Sequence, residues 1–118
     1  DTINSLMKKI LVNSSLKGIF VTNALTFLVA SYIKKNNAVN KIKIIGYDLV
    51  KENVTFLKDS VIDFLISQSP FTQGYQGIQL LYRKIVLNQH IDEMMMVPID
   101  IVTKENIEFY KSALRGTI

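Results

Sequence analysis

The chain has 118 residues, 48% of them hydrophobic: enough apolar material for one packed domain or a piece of one, and too much for a disordered chain. Its 14 basic and 10 acidic residues give a formal net charge of +4, but the basic ones are scattered or at most paired (Lys8-Lys9, Lys34-Lys35, Arg83-Lys84), not gathered into the stripe that a nucleic-acid groove needs. The lack of cysteine excludes disulfides and thiolate metal sites, the single histidine, His90, has no second His or Cys to complete a zinc site, and no apolar run approaches the roughly 18 residues of a membrane span.

The first element read from the pattern is a helix. Ile3, Leu6, Met7, Ile10 and Leu11 recur at helical spacing, with Lys8 and Lys9 on the outer face. An α/β chain that opens on a helix, with no strand ahead of it, reads as cut from a longer protein at Asp1, and no signal peptide is visible. Gly18-Ile-Phe-Val-Thr22 is then a short apolar run ending at Asn23. The helix expected from Ala24 to Lys35 carries Leu25, Phe27, Leu28, Val29, Tyr32 and Ile33, which leave almost no polar face. Such a helix must bury two sides, one on its sheet and one on a second helix or a partner subunit.

Ile42 to Ile45 is a second apolar run, rich in β-branched residues and bounded by Asn36-Asn37 and Gly46, which reads as a buried strand. It ends in Gly46-Tyr47-Asp48, and Val50, Val54 and Leu57 then give a helix to Lys58, with Phe56 off that face. Ile62 to Ile66 is a third run, ending at Ser67-Gln68. The carboxyl ends of three strands therefore carry Asn23, Asp48 and Gln68, and in an open α/β sheet that edge is where ligands bind. None of the three is an obvious base or nucleophile. Asp accepts hydrogen bonds from hydroxyls, while Asn and Gln both donate and accept, a set suited to a neutral, hydroxyl-rich ligand. The competing reading makes Asn23 and Asp48 helix N-caps.

Ser69 is expected to cap a helix running from Pro70 to Leu87, with Phe71, Tyr75, Ile78, Leu81, Tyr82 and Ile85 on one face. Gly74 and Gly77 each cost that helix about 1 kcal/mol against alanine and imply close approach of another backbone. Met94 to Val97 and Ile99 to Val102 read as two short strands meeting at Pro98, with the Met triplet in the core. Thr103 is expected to cap a last turn through Asn106 and Phe109, ahead of a frayed tail, Arg115 to Ile118. Gln73-Gly-Tyr-Gln-Gly77 is no phosphate loop, and neither a nucleophile elbow nor a His or Cys beside a carboxylate is present. No catalytic residue, metal or cofactor is therefore expected, and the reading is not an enzyme.

Val21-Thr-Asn23, Ile45-Gly-Tyr-Asp48, Ile66-Ser-Gln68 with Gln73-Gly-Tyr75, and Pro98 to Asn106 occur in an order and at spacings that resemble the LacI/GalR family of sugar-responsive regulators. They resemble equally the ribose-type periplasmic binding proteins that share its effector domain. The form Gly46-Tyr-Asp-Leu49 followed by Glu52-Asn-Val54 looks more like the regulator branch. The resemblance implies a periplasmic-binding-protein-like type I α/β fold, a parallel sheet with flanking helices, of which this chain holds mostly the C-terminal lobe. Residues 1–69 and 99–110 would belong to that lobe and 70–97 to the N-terminal lobe. It further implies a sugar or sugar derivative contacted by Asn23, Asp48 and Gln68, and a homodimer formed through Phe27, Leu28 and Phe56. Operator DNA would be bound only through a missing N-terminal domain, without a membrane, in the cytoplasm. The isolated chain would expose an apolar helix face around Ile78, Leu81 and Ile85 and self-associate.

Overall fold

The computed structural model describes residues 2–39 and 41–110. Its elements are α1 (Thr2–Leu11), β1 (Gly18–Phe20), α2 (Thr26–Lys35), β2 (Lys43–Tyr47), α3 (Lys51–Lys58), β3 (Phe64–Ser67), α4 (Pro70–Ile85) and β4 (Asp100–Val102), followed by a 3-10 turn at Ile107–Tyr110. The four strands form one sheet in sequence order. β1, β2 and β3 are parallel, and β4 returns antiparallel to β3.

Register divides the sheet into two unlike faces. Ile19 lies opposite Ile44, Gly46 opposite Leu65 and Leu65 opposite Val102. Because side chains alternate along a strand, this set points one way, into the core that Ile44, Leu65 and Val102 build with Met7 of α1, Ala30 and Ile33 of α2, and Val54 and Leu57 of α3. The other face carries Phe20, Ile45, Tyr47, Phe64, Ile66 and Ile101, all half-buried or exposed. Phe20 and Tyr47 meet there with ring centroids 5.8 Å apart.

Backbone chemistry explains where the helices stop. Asn37 and Ser60, just past α2 and α3, adopt left-handed φ of 53° and 59°, and Asn88 beyond α4 adopts 48°; a left-handed residue past the last turn is a common helix terminator. The side-chain amide of Asn36 also donates to the Tyr32 carbonyl at 2.8 Å. The Asp63 carboxylate joins the start of β2 to β3, accepting from the Ile44 N–H and the Lys43 ammonium, both at 2.8 Å.

Several expectations need correction. The edges of the strands and helices move by one or two residues, and β1 pairs only over Gly18–Phe20. Leu6 faces solvent at the margin of α1's stripe. Met94 to Val97 joins no ladder, and Met94, Met95 and Met96 are exposed instead of packed in the core. Nothing lies within contact distance of a Cβ placed at Gly74 or Gly77, so no backbone approaches α4 there among the described residues. Ser69 occupies the N-cap position of α4 but makes no side-chain capping bond. In the last turn Asn106 is the organising side chain: its oxygen accepts from the Thr103 N–H at 2.8 Å and its amide donates to the Ile101 carbonyl. The Thr103 hydroxyl instead bonds Glu105 and holds that exposed carboxyl below its ordinary value. Arg115 to Ile118 lies outside the described residues.

α4 stands apart. None of its residues is buried, and Ile78, Leu81 and Ile85 are 70%, 58% and 74% exposed. Its projection gives the molecule extents of 59 × 27 × 24 Å and a radius of gyration of 18.0 Å, where a compact domain of this length has roughly 13–14 Å.

Candidate ligand-binding site

The site forms where the carboxyl ends of β2 and β3 hand over to α3 and α4. An open cleft of about 410 Å³ lies there, lined by Asp48, Leu49, Val50, Ser67, Gln68, Pro70 and Gln73. Two other clefts have similar volumes, one between α1 and α2 and one beside α4; volume alone does not select among them. Residue chemistry does.

Asp48 departs from ordinary backbone geometry. Its φ is 66°, in the left-handed region that costs most L-residues about 1–2 kcal/mol. Of the five non-glycine residues with positive φ among the described residues, Asn37, Ser60 and Asn88 terminate helices, whereas Asp48 and Ser69 stand at strand-to-helix junctions beside the cleft. Asp and Asn tolerate this region better than other non-glycine residues, and left-handed backbone outside helix ends concentrates at functional sites. The Asp48 N–H donates to the Ile66 carbonyl at 2.9 Å, tying the loop to β3. Its carboxylate accepts no hydrogen bond within the described residues. The N-cap reading of Asp48 therefore fails: Val50 is the N-cap of α3, and no side chain caps it.

Gln68 lies across the cleft from this loop. Its carbonyl accepts from the Gln73 side-chain amide at 2.6 Å, so the first turn of α4 fixes the crossing strand. Ser67 Oγ accepts from the Ser69 N–H at 3.3 Å, and Ser69 Oγ donates to Asp100 on β4 at 3.2 Å. The outgoing and returning strands are thus linked where the chain leaves the sheet.

Asn23 is at the carboxyl end of β1, on the same sheet edge, but does not line this cleft. Its side-chain oxygen accepts from the Leu25 N–H at 2.9 Å, forming a turn ahead of α2. A local structural role for Asn23 is therefore visible; the N-cap position of α2 is Leu25, without a side-chain cap.

The residue that the sequence reading missed is Asn53. It is fully buried, and its oxygen accepts from the Phe27 N–H at 2.7 Å, supplying from α3 the cap that α2 lacks. Its amide donates to the carbonyls of Ala24 and Tyr47 at 3.0 Å and of Asp48 at 3.1 Å. The signal was present in the spacing: Val50, Asn53, Val54 and Leu57 lie at i, i+3, i+4 and i+7, so the asparagine sits on the apolar stripe. Of the residues assigned to a dimer face, Phe27, Leu28 and Phe56 are all half-buried. Leu28 lines the cleft between α1 and α2, and Phe56 lies 5.7 Å under the Lys34 ammonium.

Among the described residues no cluster of His, Cys, Asp and Glu could hold a metal ion, and no helix is long and apolar enough to cross a membrane. An α/β sheet with a cleft at the carboxyl ends of its strands, apolar residues around a few polar side chains, has the layout of a small-molecule binding fold. Residues 1–89 match the family described as the periplasmic binding protein domain, and the chain belongs to that family. A protein from Bacteroides fragilis assigned to the LacI transcriptional regulators is similar with 30% identity and a TM-score of 0.81, over 89% of this chain and 36% of that one. A carbohydrate transporter solute-binding protein from Agrobacterium radiobacter, solved with D-arabinose, is similar with 27% identity and a TM-score of 0.80, over 94% and 38%. An ABC transporter solute-binding protein from Agrobacterium vitis with bound D-fucose shares the fold at 23% identity and a TM-score of 0.80, over 93% and 38%. The chain therefore spans little more than a third of the length of these structures. No protein of curated function matches it.

Proposed function

We propose that the chain is the C-terminal part of the effector-binding domain of a LacI-family transcriptional regulator, and that it contributes one wall of a sugar site. Residues 1–69 and 99–110 would form most of one lobe, with 70–97 reaching into the other. The observation that carries the binding reading is the Asp48 carboxylate, without a hydrogen-bond partner among the described residues and carried on a left-handed backbone at the rim of the cleft. A carboxylate so placed can accept two hydroxyls of a pyranose, while Gln68 and Asn23 offer further polar contacts. Closing two lobes around the sugar would shift an open–closed equilibrium by its differential affinity for the two states. A DNA-binding domain ahead of residue 1 would feel that shift. Phe27, Leu28 and Phe56 would contribute to a homodimer interface, operator DNA would be contacted only by the missing domain, and the protein would act in the cytoplasm as a binding module, not an enzyme. Support for the regulator branch is the 30% identity to the Bacteroides fragilis protein.

A second reading, an extracytoplasmic sugar-binding protein or a receptor's sensor domain, is favoured by the 27% identity to the D-arabinose-bound transport protein over 94% of this chain. Both readings share the sugar site, and one experiment addresses it. Titration of the full-length protein with D-arabinose, D-fucose, D-allose and D-tagatose by calorimetry should reveal a binder. Asp48→Asn, which keeps a side chain tolerant of left-handed φ, should weaken it about tenfold or more, because a charged hydrogen bond contributes about 1.5–3 kcal/mol. Thermal unfolding should be unchanged. Full affinity in the variant would move the site elsewhere.

A further inference from the structure

We infer that Asn53 is a positioning residue for the ligand site, acting through Asp48; the inference rests on the reading of Asp48 as a ligand contact. This one buried amide makes four hydrogen bonds, one accepted and three donated, and all are to backbone atoms at the two strand-to-helix junctions after β1 and β2: Ala24 and Phe27 at the first, Tyr47 and Asp48 at the second. Two N–H groups serve three carbonyls, those of Ala24, Tyr47 and Asp48, so one hydrogen is shared. Asp48 is thereby gripped at both ends: its N–H by the Ile66 carbonyl on β3, its carbonyl by Asn53. Between those two anchors φ is held at 66°.

That geometry decides where the carboxylate points. The direction of the Cα–Cβ bond relative to the strand depends on φ, and relaxation to the right-handed region would swing the side chain away from its present direction. The same amide holds Ala24 and Phe27, so the loop bearing Asn23 is fixed relative to the loop bearing Asp48. Core packing alone would call for an apolar residue here, on the stripe of Val50, Val54 and Leu57. An amide with three carbonyl partners is what a preformed binding loop requires, since a buried polar side chain is tolerated only when its hydrogen bonds are made.

The test uses the full-length protein and three variants. Asn53→Asp keeps the acceptor for Phe27 but turns a second acceptor toward the carbonyls, and Asn53→Ser removes the reach altogether. Leu57→Ala removes, from the same helix, a fully buried side chain that makes no hydrogen bond to either loop. The HN–Hα coupling of Asp48, read by NMR, reports its φ. Calorimetry with a panel of free D-aldopentoses and D-aldohexoses reports affinity, in the parent and in an Asp48→Asn background.

Both Asn53 variants are expected to change the Asp48 coupling and to weaken sugar binding about tenfold, as the loss of one properly placed hydrogen-bonding group does. The loss should be several-fold smaller in the Asp48→Asn background, while Leu57→Ala lowers the melting temperature and moves neither readout. The inference is overturned if the Asn53 variants melt lower yet keep the coupling and the affinity, as Leu57→Ala does. It is equally overturned if their loss of affinity is undiminished in Asp48→Asn. Should no sugar bind the parent, the sugar reading fails separately and the coupling decides: changed in Asn53→Ser, it supports the positioning role, and unchanged, it removes it. If Asn53→Asp does not fold, Asn53→Ser carries the same comparison.

Discussion

Thr26, Asn53 and Ser67 are the polar side chains buried among the described residues, and each falls on an apolar stripe at the carboxyl edge of the sheet. Thr26 precedes Ala30 and Ile33 at i+4 and i+7 of α2, Asn53 interrupts the stripe of α3, and Ser67 follows Leu65 on the inward face of β3. The three positions could be counted from the sequence, but their partners could not. Those partners are mostly backbone atoms on other segments, such as Phe27 for Asn53, and spacing says nothing about them. Gly46 shows the same limit from the other side. The sequence marks it as the end of an apolar run, while the structure sets the Thr26 side chain where a Cβ on Gly46 would stand. Thr26 is itself held by a hydrogen bond from its hydroxyl to the Asn23 carbonyl at 3.1 Å and cannot simply rotate away. Gly46→Ala should therefore destabilise the protein by about 1–3 kcal/mol through overpacking, measured by urea unfolding; a change within about 0.5 kcal/mol, the range of ordinary surface substitutions, would show that α2 shifts without cost.

At the scale of elements, β-branched runs and helical spacing located β1, β2, β3 and the helices between them, because each buries one face against its neighbours and the period records it. The segment ahead of β4 misled for a physical reason. Met94 to Val97 has the apolarity of a strand but no neighbour to pair with among the described residues, and an unpaired run is not a strand. α4 is the opposite case, a helix with a complete apolar face that nothing buries among the described residues. Contiguous exposed apolar faces mark contact surfaces. The 118-residue chain by itself should associate through Ile78, Leu81 and Ile85, and Leu81→Lys should reduce that association. Light scattering at micromolar concentration decides: a clean monomer would count against the role given to this face.

For the molecule as a whole, the ordered set of short motifs told more than periodicity did. Periodicity supplies α/β and a ligand edge at the carboxyl ends of strands. The order of Asn23, Asp48 and Gln68 with their flanking residues supplied the effector-domain fold that sugar-responsive regulators share with periplasmic binding proteins, and the match over residues 1–89 bears out that coarser family. Where the motifs meet in space was only partly legible: Asp48 and Gln68 share a cleft, and Asn23 does not. An acceptor bond to its own loop, which sequence spacing leaves open, occupies the Asn23 oxygen.

The pairing of β3 with β4 has a consequence for how this molecule could be cut. Ser67 and Asp100 lie opposite each other on adjacent antiparallel strands, so in outline the two strands form a hairpin whose loop is all of residues 68–99. That loop contributes no side chain to the core. Its removal should be inexpensive, because loop-closure entropy changes by only about 0.6 kcal/mol per doubling of length, and a shorter connection favours closure. A minimal version joining Ser67 to Asp100 through Asn-Gly, the pair best suited to a tight two-residue turn, should keep α1 to α3 and the four strands. It should unfold cooperatively in urea without the projecting apolar helix. A gradual transition would mean that the excursion, though outside the core, holds the returning strand in register.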